Sequence, residues 1–246
     1  MLRNSSWHKQ GKGVMSHDRQ GLTRRRLLQV SLSASALTAS LKPAASAWFP
    51  PTPMQPAGPF YAPFKPLSID NDLLFLPGRT QRADGEMIHI SGRVRDQSGK
   101  AIKGARVEIW QANQYGRYNH PRHENSNLKL DPNFQGFGHD ATDEAGAYRF
   151  RTIKPGPYPD SPNWLRPPHI HFAVFPPGGP SWTTQLYFAG EPLNDSDFLL
   201  QGLPTDADRN RVTVALKPPT AALEAESRLG VFDITLGIPG VRREKI

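Results

Sequence analysis

From Met87 onward the chain is written in short runs of β-branched and aromatic residues, separated by Gly, Pro, Asp and Asn. The runs cover residues 87–94, 105–111, 147–153, 169–175, 183–188, 211–216 and 231–236. Each has the length of a strand, and several alternate apolar with polar positions, the period of a strand with one buried face. Asp96-Gln97-Ser98-Gly99 and Asp143-Glu144-Ala145-Gly146 read as hairpin-type turns between them. This spacing predicts an all-β fold, an antiparallel β-sandwich. Helical character is confined to residues 221–227. Two stretches, 115–142 and 154–168, read as long loops, and long ordered loops on a rigid sheet scaffold are where sites gather. Residues 48–77 are proline-rich and without periodicity, which predicts an extended N-terminal arm. The division is therefore 1–47 as a leader, 48–85 as the arm, and 86–246 as the β-sandwich domain.

Charge changes how the first segment is read. Residues 1–47 hold Arg3, Lys9, Lys12, Arg19, Arg24, Arg25, Arg26 and Lys42 against Asp18 alone, so +7 of the chain's net +8 lies there. The remainder is nearly neutral, which argues against nucleic acid as a partner of the folded body. Thr23-Arg24-Arg25-Arg26-Leu27-Leu28-Gln29 fits a twin-arginine export signal, followed by a mildly apolar run and by Ala45-Ser46-Ala47 as a small-x-small cleavage pattern. The apolar run is shorter than the ~20 residues of a spanning helix. The expectation is export by the twin-arginine machinery, cleavage near Ala47, and a periplasmic or extracellular address. That route carries folded proteins, so a metal could be inserted before crossing.

The chain has no cysteine, so any metal is held by nitrogen and oxygen. His169-Ile170-His171 opens a predicted strand, where residues i and i+2 project from one face and can meet a single ion. Taken alone, this pattern serves packing as readily as ligation. Arg166-Pro167-Pro168 stiffens the approach and puts a permanent cation beside it. In Pro155-Gly156-Pro157-Tyr158-Pro159, three prolines around one tyrosine make a rigid presenter of a phenol. A second phenol is offered near Gly116-Arg117-Tyr118, but Tyr115, Tyr118, His120 and His123 crowd there, and spacing does not choose among them. Read from the residues alone, this is a His-x-His pair with one or two phenols around a hard metal.

Taken together, the motifs resemble the intradiol ring-cleavage dioxygenases. The likeness rests on Val107-Glu108-Ile109-Trp110-Gln111-Ala112-Asn113, Gly116-Arg117-Tyr118, Asp131-Pro132-Asn133-Phe134-Gln135-Gly136, Lys154-Pro155-Gly156-Pro157-Tyr158-Pro159, Arg166-Pro167-Pro168-His169-Ile170-His171-Phe172 and Thr184-Gln185-Leu186-Tyr187-Phe188. The branch it resembles most is the iron-bearing chain of protocatechuate 3,4-dioxygenase. The resemblance implies one Fe(3+) per chain, held by Tyr118, Tyr158, His169 and His171. It implies O2-dependent opening of a catechol-type ring between its two hydroxyls, giving a cis,cis-muconate-type diacid. Tyr158 would accept a substrate proton, Arg166 would stabilise negative charge on a ring carbon, and Gln185 would orient Arg166 or the substrate. It also implies a homo-oligomer or a related second chain as a partner completing the pocket. Asp160 stands where the ring-cleaving relatives often have tryptophan, which alters one pocket wall.

Two other readings were weighed. Residues 91–110 also resemble prealbumin-like binding modules without a catalytic metal, but such domains are shorter and have no use for paired phenols beside His-x-His. A divalent-metal hydrolase would draw on carboxylates such as Asp140 and Asp160, and neither lies in the ligand-bearing motifs.

Overall fold

Two sheets carry the fold. In the first, β1 (Met87–Asp96) pairs antiparallel with β4 (Ala147–Ile153), from Met87 opposite Ile153 to Arg93 opposite Ala147. β10 (Arg228–Val231) and β11 (Ile234–Leu236) run parallel to β1. The second sheet has the order β3 (Phe137–Ala141), β2 (Arg106–Trp110), β7 (His169–Phe175), β8 (Trp182–Phe188), β9 (Thr213–Val214). A short hairpin, β5 (Tyr158–Ser161) with β6 (Trp164–Arg166), stands apart. The computed structural model describes residues 48–62, 70–124 and 126–237, and the expected export signal and its cleavage site lie outside them.

Alternation decides which side chains enter the core. Ile88 and Ile90 of β1, Tyr148 and Phe150 of β4, Val107 and Ile109 of β2, Leu186 and Phe188 of β8, and Ile170, Phe172 and Val174 of β7 form one buried cluster. The inner faces of both sheets therefore share a core. In β7 the other face holds His169, His171 and Ala173, which are also buried. A slip of one residue in β7 would exchange three large apolar side chains for these. At ~1.5–3 kcal/mol for each buried side chain, that is a large share of a whole domain's stability of ~5–15 kcal/mol. The core thus fixes where the two histidines point.

Predicted and observed elements differ in particular places. The strands at 147–153 and 169–175 have the predicted limits, and β1, β2 and β8 differ by one or two residues. The run at 231–236 is split between β10 and β11, and the one at 211–216 is reduced to β9, because Arg211 closes helix α2 (Asp206–Arg211). Both predicted loops contain strands, β3 in the first and the β5–β6 hairpin in the second. The pairing is mixed rather than antiparallel throughout, since β9, β10 and β11 join their neighbours in parallel. A parallel pair needs a long crossover. Between β8 and β9 it contains a 3-10 turn (Pro192–Ser196), helix α1 (Phe198–Gln201) and α2.

The predicted helix at 221–227 is a pair of turns, with Leu223 N donating to Thr220 O and Ser227 N to Glu224 O. So short a segment has little helical stability of its own. Here Glu224 is held instead by His89 Nε2 at 2.7 Å and Arg151 Nη2 at 2.8 Å.

Residues 48–62 contain neither helix nor strand and are stitched to both sheets. Phe49 N donates to Gln97 O, Thr52 N to Thr235 O and Gln55 N to Thr183 O, each at 2.9 Å. Further along, Leu73, Leu74 and Ala83 are fully buried in the main core, so that part of the chain is not confined to the surface.

Candidate metal centre

The loop after β2 delivers Tyr118 and the start of β5 delivers Tyr158, and each segment is shaped by its neighbour. After β2, Asn113 Oδ1 accepts from Tyr115 N and Arg117 N, while Asn113 Nδ2 reaches Lys129 O. Gly116 closes this turn with φ +80°, and a Cβ there would collide with the Pro157 carbonyl. Across the gap, Gly156 N donates to Asn113 O, and a Cβ at Gly156 would collide with Gln114 O. Two glycines thus let the backbones meet, which sets Tyr118 and Tyr158 ring to ring at 5.3 Å and 90°. The crowd of aromatic residues is resolved by where each points. Tyr115 Oη donates outward to Asp84, His120 Nδ1 accepts from Arg122 N, and His123 Nδ1 accepts from Tyr118 N. Tyr118 itself is buried, and its Oη has no hydrogen-bond partner.

The histidines arrive from β7 on the face opposite the core. His169 Nδ1 lies 2.7 Å from the carbonyl of Pro167, so that nitrogen carries the proton and the Nε2 lone pair turns inward. His169 Nε2 and His171 Nε2 are 3.2 Å apart. Two nitrogen donors at a right angle around one ion are separated by ~3 Å. The plane of His171 is set by Trp110 of β2, stacked on it at 5.0 Å and 6°. Tyr158 and His169 lie at 5.6 Å between ring centroids, Tyr118 and His171 at 6.4 Å, so the four rings form one group.

Electrostatics suit a cation at that point. Burial, with the charge of Arg166, pushes both imidazoles well below the ordinary histidine range, so both are neutral and have lone pairs to give. Burial also raises Tyr118 well above the ordinary phenol value, and the neighbouring Tyr158 adds to it. Tyr158 is raised too, again chiefly by burial, with Arg166 opposing. Neither phenol ionises here at neutral pH without a nearby positive ion to compensate it. The orphaned Tyr118 oxygen and the facing imidazole nitrogens are what a metal would satisfy.

Arg166, at the end of β6, lies opposite Tyr158 in the hairpin. Its Nε donates to Asp197 Oδ2 at 2.9 Å, and its Nη2 to Gln185 Oε1 and Tyr187 Oη at 3.0 Å each. Its Nη1 reaches His169 Nε2 at 3.1 Å. Burial disfavours this cation, but Asp197 holds it firmly protonated. Gln185 is engaged through both ends of its amide. Its Oε1 accepts from Arg166 and Tyr187, and its Nε2 donates to Pro56 O at 2.9 Å. Of the two roles expected for Gln185, this geometry serves the orientation of Arg166.

Several residues at the site have no role assigned to them from the sequence. Phe60 stacks on Tyr118 at 4.4 Å and 20°, and Gln55 bonds Tyr187 and the backbone of Gln185. Both come from the aperiodic segment, where no pattern marks them. Tyr187 could have been found, because it lies two residues beyond Gln185 and shares its face of β8. Asp197 could have been found as an N-cap before an apolar run. Neither carboxylate weighed for a hydrolase joins the centre. Asp140 accepts from the backbone N–H groups of Ala141 and Arg149, and Asp160 is exposed.

A predominantly β protein with two buried phenols, two neutral imidazoles and a neutralised arginine around one point defines an oxygen- and nitrogen-donor metal-site class. Comparison with known proteins narrows it. Residues 57–236 match the Dioxygenase family. Over 172 residues the chain is 43% identical to the protocatechuate 3,4-dioxygenase beta chain of Burkholderia cepacia, covering 68% of this chain and 72% of that one. It is 33% identical over 203 residues to catechol 1,2-dioxygenase of Acinetobacter baylyi, covering 75% of this chain and 62% of that protein, less than two thirds of its length. The dioxygenase domain of a dioxygenase–carbohydrate-binding fusion from Streptomyces sp. SirexAA-E superposes with a TM-score of 0.57 at 31% identity. That match spans 77% of this chain and 99% of the domain. The chain belongs to the intradiol ring-cleavage dioxygenase family, and it is an oxidoreductase of the dioxygenase class.

Proposed function

We propose that this chain is an exported, Fe(III)-dependent enzyme that opens a catechol-type ring with O2 to a cis,cis-muconate-type diacid. One iron per chain is held by Tyr118, Tyr158, His169 and His171. The observation that carries the reading is the grouping of two buried phenols and two neutral imidazoles, with the Tyr118 oxygen making no well-formed hydrogen bond. Charged oxygen donors favour a hard trivalent ion over zinc. When bound, ferric iron supplies the positive charge that ionises the phenols and the electronic link that makes a chelated catechol reactive towards O2.

The protein's own groups then have distinct tasks. Tyr158 Oη takes one of the two catechol protons in this reading. Arg166 faces the ring carbon that gains negative charge, in a site from which Trp110, Phe60 and Tyr118 exclude water. Gln185 and Tyr187 hold Arg166 Nη2. The scaffold reading that goes with this is a β-sandwich over 86–246, an arm over 48–85 and a cleaved leader over 1–47. The pocket's outer wall is assigned to a second copy or a related chain, as the name of the beta-chain relative suggests.

The test is oxygen uptake across a panel of catechols by iron-loaded protein. Coloured protein holding one iron per chain, and consuming one O2 per ring opened, is the expected result. Iron-loaded protein inert towards the whole panel would sink the reading. Export has its own test. Replacing Arg24 and Arg25 with Lys keeps the charge yet is expected to leave the precursor in the cytoplasm, while the unaltered chain matures to an N-terminus at or near Trp48. Export of the variant at the normal level would overturn the twin-arginine assignment.

A further inference from the structure

We infer that Asp197 is a positioning residue for the reaction: it fixes the plane of the Arg166 guanidinium so that one edge, Nη1, is turned to the substrate. This rests on the reading above that Arg166 faces the reacting ring. Asp197 is completely buried, and its carboxylate accepts Arg166 Nε at 2.9 Å and Nη2 at 3.3 Å. This is the two-point, in-plane pairing that a guanidinium makes with a carboxylate. Oδ1 also accepts Leu199 N at 3.1 Å and Leu200 N at 2.9 Å, so the carboxylate is itself anchored to the start of α1.

Counting hydrogens on the fork shows what is left over. The single Nε hydrogen goes to Asp197, and the two on Nη2 are shared among Asp197, Gln185 and Tyr187. Nη1 makes one well-formed hydrogen bond, to His169 Nε2 at 3.1 Å, with the Tyr158 phenol nearby. Once that lone pair is given to a metal, the Nη1 hydrogen it held is released, and Nη1 presents a free edge beside the two histidines. The guanidinium is thus gripped along one side and offered along the other. Asp197 also cancels the charge of Arg166, so that this cation can sit against a second positive centre.

Cap and ion pair can be separated by substitution. Asparagine caps a helix about as well as aspartate, so Asp197→Asn keeps α1 but removes the charge and the two-point acceptor. Measured at saturating iron, because the uncompensated Arg166 charge weakens iron binding, the expected result is full occupancy, an unchanged resting visible spectrum and anaerobic catechol affinity within ~3-fold, with kcat lower by ~10–100-fold, the scale of a small misplacement of a catalytic group. Asp197→Glu, which restores the charge but shifts the fork, is expected to recover part of kcat. Normal kcat in Asp197→Asn overturns the inference. So does an equal fall in kcat and anaerobic affinity, because it makes Asp197 part of binding or of the general scaffold. Should Asp197→Asn fail to fold, Asp197→Glu decides: normal kcat there overturns the inference, and reduced kcat with iron retained supports it. Wild-type protein is assayed in parallel. If it consumes no oxygen with any catechol, the proposed function has failed, and that outcome is distinct from any of these.

Discussion

Tyr118→Phe is expected to purify without colour and to bind iron at least ~100-fold more weakly, beyond the loss that follows removal of a group merely supporting a ligand. What makes the variant informative is that its fold should not suffer. The Tyr118 ring is held by Phe60, stacked at 4.4 Å, and by Tyr158 at 5.3 Å, and phenylalanine keeps both contacts. Only the hydroxyl is removed, and in the metal-free protein that hydroxyl is buried with no well-formed hydrogen bond, facing only the Tyr158 phenol. An unsatisfied buried polar group costs ~1–3 kcal/mol, so the metal-free variant should be as stable as the parent or more so. Thermal melts of metal-free samples, with iron titrations followed in the visible, check both halves. An unchanged spectrum removes Tyr118 from the ligand set. A collapsed fold would mean that the hydroxyl has a structural role absent from this geometry.

Legibility in the sequence followed the physical range of each signal. The strand carrying His169 and His171 was visible because alternation is local, and the same alternation places both rings on the face opposite Ile170 and Phe172. Tyr158 was visible because its prolines lie beside it. The strand Phe137–Ala141 was missed: Phe-Gly-His-Asp-Ala has no β-branched residue, and among the described strands it pairs with β2 alone, at the sheet edge. The helix expected at 221–227 was lost to Glu224, whose partners His89 and Arg151 lie far away in the chain. At the site, the choice of Tyr118 over Tyr115 rests on the contact of Gly116 with Pro157, and no spacing rule reports it. The roles of Gln55 and Phe60, and the pairing of Asp197 with Arg166, were silent for the same reason. Each acts through a partner distant in sequence, and only the fold brings the two together.

Loss of Arg166 should be the most damaging change outside the ligands, and the structure splits its effect in two. Arg166 is 3% exposed and its partner Asp197 is fully buried. Arg166→Gln therefore leaves an uncompensated carboxylate in the interior, which costs ~3–5 kcal/mol. Arg166→Lys keeps a charge but cannot reproduce the planar fork that reaches Asp197, Gln185 and Tyr187 together, so part of that cost remains. Both variants are also expected to lose ~10²–10³ in the rate of oxygen consumption, the usual scale for removing one electrostatic donor aimed at developing charge. The double variant Arg166→Gln with Asp197→Asn separates the terms, because it removes both charges at once. Its stability is expected to return most of the way to that of the parent, while its oxygen consumption stays as low as in Arg166→Gln. Denaturant melts and oxygen-electrode rates on the same preparations measure the two quantities. Recovery of activity together with stability in the double variant would make Arg166 a structural counter-ion to Asp197. Stability restored without activity assigns the guanidinium to the chemistry.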